Sequence, residues 1–69
     1  MTKNVVASYS LNHPTQPDVR VEVIQDAPKS FHLEEYRDGI HVRDHHFPEI
    51  HRLRDMQHEA RMMVREARR

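Results

Sequence analysis

Apolar residues change their spacing near Asp44 in this chain: they alternate before it and recur every three or four positions after it. Alternation places every second side chain on one face of a strand, whereas the wider spacing draws a stripe along a helix. The pattern predicts an α+β chain, a four-stranded antiparallel meander followed by one long C-terminal amphipathic helix, in a single domain over 1–69. Val5, Ala7, Tyr9 and Leu11 share one face of a first strand over about 4–11. Val19-Arg20-Val21-Glu22-Val23 alternates strictly and marks a second strand over about 19–24, with one covered and one wet face. A third strand over about 31–36 turns Phe31 and Leu33 inward, and a fourth covers about 40–43. Between these two stands Asp38-Gly39, with the chain's one glycine. Asp-Gly suits a type I′ hairpin turn, whose two central residues both need positive φ. Alternation alone puts Glu35 on the Phe31 and Leu33 face, so a bulge or strand end is expected beside it. Proline and polar residues make 12–18 and 25–30 read as loops.

Asp44 is a candidate N-cap and Pro48 suits a first helical turn, which sets the expected helix at about 45–67. Phe47, Ile50 and Leu53 are expected to close it onto the sheet. A helix of about 20 residues spans about 30 Å, more than a sheet of short strands covers, so its distal half is expected to project. There Leu53, Met56, Ala60, Met63 and Ala67 follow a 3-4-3-4 heptad stripe. That stripe is the expected interface with a second copy or a partner helix, with an ordinary core-facing stripe as the alternative.

The 69 residues contain no cysteine, which excludes disulfides, thiolate zinc sites and thiol nucleophiles. A chain this short hides only about 60% of its unfolded surface, and association is the remaining common supplement to a small core. A homodimer is therefore expected. Eleven Lys and Arg balance eleven Asp and Glu, whereas a dedicated electrostatic binder of nucleic acid is normally basic. From residue 43 onward, however, seven arginines face five acids. No apolar run approaches the roughly 20 residues of a membrane span, and the opening segment lacks a signal-peptide core. A cytoplasmic location is expected, in a cell or as a phage product within its host, with no membrane partner.

Seven histidines invite a metal reading, but no His-Glu-x-x-His or finger spacing occurs, and His51 and His58 lie two helical turns apart. They read as polar surface that gains charge as pH falls through about 6.5, so neither metal nor cofactor is expected. Ser8, Ser10 and Ser30 belong to no nucleophile elbow, and Glu34 and Glu35 point to opposite faces of a strand. Neither an enzyme nor a small-molecule substrate is expected. Arg61, Arg65, Arg68 and Arg69 crowd the helix end, where cations complement the helix dipole or form a basic tip for phosphate or an acidic partner.

Phe31-His32-Leu33-Glu34-Glu35-Tyr36, Gly39-Ile40-His41-Val42, and Phe47, Ile50 and Leu53 together resemble the positive-cofactor transcriptional coactivators. Those are single-stranded-DNA-binding proteins with four antiparallel strands and a dimerising helix. The resemblance spans roughly residues 31–53. It implies a homodimeric protein that contacts single-stranded nucleic acid in transcription or replication, with Phe47 stacking on a base and Arg20, Arg37 and Arg43 near phosphate. The competing expectation is a protein–protein interaction module, such as a phage-encoded inhibitor of a host enzyme that docks through its exposed helix.

Overall fold

A computed structural model describes residues 3–67. Its elements run β1 (Val5–His13), β2 (Gln16–Ala27), β3 (Ser30–Arg37), β4 (Ile40–His46) and α1 (Leu53–Glu66). The strands form one antiparallel sheet in the order β1-β2-β3-β4, with α1 packed on one face. The α+β class and the meander are those the spacing predicts.

Each hairpin closes through two residues: Pro14-Thr15, Pro28-Lys29 and Asp38-Gly39. Asp38 and Gly39 have φ of 52° and 80°, the left-handed pair that a type I′ turn requires. The Asp18 N–H donates to Asp38 Oδ1 at 2.9 Å and the Asp38 N–H returns to the Asp18 carbonyl at 3.0 Å, tying that turn to β2. The strands are longer than alternation predicts because residues read as loops join the ladder through their backbones. Pro17, which has no N–H to give, lies where Pro17 and Asp18 together oppose Asn12. The irregularity expected beside Glu35 is a one-residue bulge on β4: Glu35 pairs with Arg43 and Tyr36 with His41, leaving Val42 between them.

The helix starts later than expected. Asp44 is a strand residue opposite Glu34, and β4 continues to His46 opposite His32. Pro48 then favours extended backbone at Phe47. A turn follows, closed by the Ile50 N–H on the Phe47 carbonyl at 3.0 Å. Arg52, extended at φ −117° and ψ 137°, is the N-cap and makes no side-chain capping bond.

The projecting distal half is overturned with it. Fourteen helical residues span about 21 Å, whereas the twelve residues of β2 extend about 40 Å, so the sheet outruns the helix. Met56 and Ala60 are fully buried and Val64 is nearly so, all facing the sheet at a spacing of four. They close over Val19, Val21, Val23, Phe31 and Leu33, with Val6, Ala7, Tyr9, Phe47, Ile50, Met63 and Ala67 packed around them. Of the expected interface stripe, Met56 and Ala60 are thus core residues. Leu53 is exposed, and Met63 and Ala67 are half-buried.

Candidate binding surfaces

The face of the sheet away from α1 carries no helix, and the register lays mostly polar residues across it in rows, with the buried Ile24 among them. Glu22, Glu34 and Asp44 are direct cross-strand neighbours on β2, β3 and β4, and so are Arg20, Tyr36 and His41, and Ile24, His32 and His46. Like charges directly opposite repel, so the acidic row needs cations. Lys3 supplies one: its Nζ lies 3.3 Å from Glu22 Oε1, 2.5 Å from Glu34 Oε1 and 2.6 Å from the Tyr36 hydroxyl. Tyr36 itself donates to Glu34 Oε1 at 2.8 Å. His32 reaches Glu34 Oε2 through Nε2 at 3.2 Å and Asp26 Oδ2 through Nδ1 at 2.7 Å. Partial burial works to raise the Glu34 pKa, but the bonds from Lys3, Tyr36 and His32 outweigh it and hold the carboxyl at about 2. Burial likewise works to lower the His32 pKa, and the bonds to Asp26 and Glu34 overcome it, leaving the imidazole above its usual value. Glu34 and Tyr36 together hold the Lys3 ammonium well above the ordinary lysine range.

Rings cover much of the rest of this face. The Arg20 guanidinium lies 4.4 Å from the Tyr36 ring centroid, and its Nε stands 3.5 Å from Glu22 Oε2 without a hydrogen bond. His32 stacks on His46 at 5.4 Å, and His41, whose Nε2 lies 2.6 Å from Asp44 Oδ1, tilts against Tyr36 at 5.3 Å.

On the helix side of the sheet, Glu35 gathers the neighbouring cations. Arg37 bonds it at 3.0 Å, His45 Nε2 lies 3.0 Å away, and Arg43 Nε stands at 3.7 Å. Burial opposes ionisation of Glu35, but His45 and Arg37 prevail and lower its pKa. The four residues expected to contact nucleic acid therefore do not converge. Arg20 belongs to the open face, Arg37 and Arg43 face the helix side and are held by Glu35, and Phe47 packs half-buried against the core.

A different basic surface runs along α1. Arg54, His58, Arg61 and Arg65 are spaced 4-3-4 and all exposed, a ridge about 16 Å long. Among the described residues none of the four has an ion-pair partner, although Arg61 lies 5.7 Å from the Tyr9 ring. Arg61 and Arg65 are two arginines four apart, a spacing at which like charges cost a helix stability and opposite charges add to it. Of the expected basic helix end, Arg61 and Arg65 belong to this ridge, while Arg68 and Arg69 lie outside the described residues.

Two features lie outside the residues expected from the sequence. Arg54 and His58 extend the basic helix end into a ridge, and their spacing was a legible signal once the true helix start is known. The cluster of His32, Glu34 and Asp44, which brings one donor atom from each within 4.8 Å of the others, needs the strand register and carries no sequence signal of its own. Among the described residues no helix is long and apolar enough to cross a membrane. No protein family, curated protein or solved structure matches the chain.

Proposed function

We propose that this chain is a non-enzymatic protein–protein interaction module that docks through the outer ridge of α1 on an acidic surface of a partner protein. The observation that carries this reading is the exposed ridge of Arg54, His58, Arg61 and Arg65, none of which forms an ion pair within 4 Å among the described residues. By contrast, Lys3, just before β1, and Arg20, Arg37 and Arg43 on the sheet each face Glu22, Glu34 or Glu35 within 4 Å. Like charges set four apart on one helix cost stability, a cost that complementary charge on a partner reverses. The ridge carries no Phe, Tyr or Trp side chain, and its one ring, the His58 imidazole, gives bases little to stack on, which favours an acidic protein over a single strand.

One observation favours the second reading, contact with single-stranded nucleic acid. Arg20 on Tyr36, with the His32–His46 and Tyr36–His41 pairs, gives the open face flat rings beside a cation, and the likeness to the coactivators points the same way. Anisotropy titrations of a labelled oligoglutamate peptide and a labelled single-stranded oligonucleotide, at low and physiological salt, separate the two. The docking reading expects the peptide to bind at low salt and to be lost in Arg54→Glu/Arg61→Glu/Arg65→Glu. It fails if the peptide does not bind or ignores that variant. Oligonucleotide binding lost in Arg20→Glu/Tyr36→Ala but kept in the ridge variant would establish the second reading instead.

A further inference from the structure

The open face carries a histidine placed between carboxylates in a way that asks for a cation. His32 Nδ1 lies 2.7 Å from Asp26 Oδ2, and an ionised carboxylate can only accept, so Nδ1 carries the proton. The other nitrogen, Nε2, faces Glu34 Oε2 at 3.2 Å, again an acceptor. A neutral imidazole would oppose its lone pair to that oxygen, so either a second proton or a metal ion belongs between them. Glu34 is already divided in the right sense: Lys3 and Tyr36 occupy Oε1 and leave Oε2 to the histidine. Asp44 stands directly across the ladder from Glu34, and its Oδ1 is held by His41 at 2.6 Å.

We propose that His32 Nε2, Glu34 Oε2 and an Asp44 carboxylate oxygen form a binding site for a divalent transition-metal ion, with zinc as the best-suited ion. One imidazole nitrogen and two carboxylate oxygens make a mixed N/O set, which zinc and its first-row neighbours accept and magnesium or calcium, with their preference for all-oxygen shells, do not. Asp26 holds Nδ1–H and so fixes the tautomer and ring orientation, the usual outer partner of a metal-bound histidine. Zinc bonds of about 2.0–2.2 Å place donor atoms roughly 3–3.5 Å apart, closer than the 4.8 Å limit met here. Asp44 makes up the difference most easily, being on an edge strand with its side chain 39% exposed. Three protein ligands leave coordination positions for water. The site lies on the opposite side of the sheet from the helix ridge and does not depend on the docking reading.

The test is calorimetric titration of zinc chloride into chelator-treated, desalted protein at neutral pH, with magnesium chloride as comparison. We expect one zinc per chain with micromolar or tighter affinity and no magnesium binding. His32→Gln and Asp44→Asn should each weaken zinc at least tenfold, and Asp26→Asn should weaken it less. His51→Gln/His58→Gln should leave it unchanged, which separates this site from adventitious binding by other histidines. Long-range 1H–15N spectra of the wild type should show zinc perturbing His32 Nε2 while Nδ1 keeps its proton, a readout that holds even if His32→Gln fails to fold. Absent zinc binding, affinity unaltered in Asp44→Asn, or a His32 spectrum that zinc does not shift would overturn the site.

Discussion

Glu34 shows how much one side chain can organise at the residue scale. It is only 14% exposed and serves Lys3, Tyr36 and His32 at once. Glu34→Gln removes the charge that all three address. We expect it to cost about 1–3 kcal/mol, the range for a hydrogen-bonded charge lost from a mostly buried site, read by urea denaturation. The same residues set the pH response of metal-free protein. Glu34 and Glu35 titrate below their unfolded values, so their contribution is present above about 4.5 and is lost as pH falls, toward about 2 for Glu34. His32 titrates above its unfolded value, so its contribution is full below about 6.5 and fades as pH rises through the folded value. Thermal melts in chelator should therefore be highest between about pH 5 and 6.5 and decline on both sides. Gly39 is a third residue with a defined role. Nothing lies within 4 Å of where a Cβ would stand, so its φ of 80° is the whole obstacle to substitution. Gly39→Ala should cost about 1–2 kcal/mol and Gly39→Asn less, compared by thermal melting.

At the scale of elements, α1 tests the geometry most directly. Met56 is fully buried against the sheet and Leu53 is 36% exposed, although both belong to the heptad stripe read from the sequence. Met56→Ala should cost about 2–5 kcal/mol, and Leu53→Ala well under half of that, in parallel denaturation curves. The contrast also shows what the sequence could reveal. Strict alternation at 19–23 and the Asp38-Gly39 pair were legible because backbone geometry demands those residue types locally. The helix start was not legible, because Asp44 and Pro48 imitate start signals while their actual places are set by pairing with β3 and by a turn. Nor could spacing alone choose between 53, 56, 60, 63, 67 and the observed 56, 60, 64, since both stripes fit a period near 3.6 and only the sheet decides which one is buried. The basic end of the helix was visible in part, and the cluster on the open face not at all, since His32, Glu34 and Asp44 meet only through the β3–β4 register.

For the molecule as a whole, the two faces differ in how their charge is settled. The open sheet face sets Lys3, Arg20 and His32 against its carboxylates, whereas the helix ridge forms no ion pair among the described residues. Association between copies is proposed on grounds of chain size. With Met56 and Ala60 taken into the core, helix pairing would have to use Leu53, Met63 and Ala67. Sedimentation at tens of micromolar should then show a dimer that Leu53→Glu/Met63→Glu converts to monomer, and a monomeric wild type would rule helix pairing out.

The three two-residue turns have a kinetic consequence. Every strand neighbour in this sheet is also a sequence neighbour, so the hairpins can form one after another without closing a long loop, and such local pairing favours rapid folding. Only α1 must travel, since it ends on β1, β2 and β3 from the far end of the chain. Its docking is then the late step: truncating Val64 should hasten unfolding and leave the refolding rate almost unchanged.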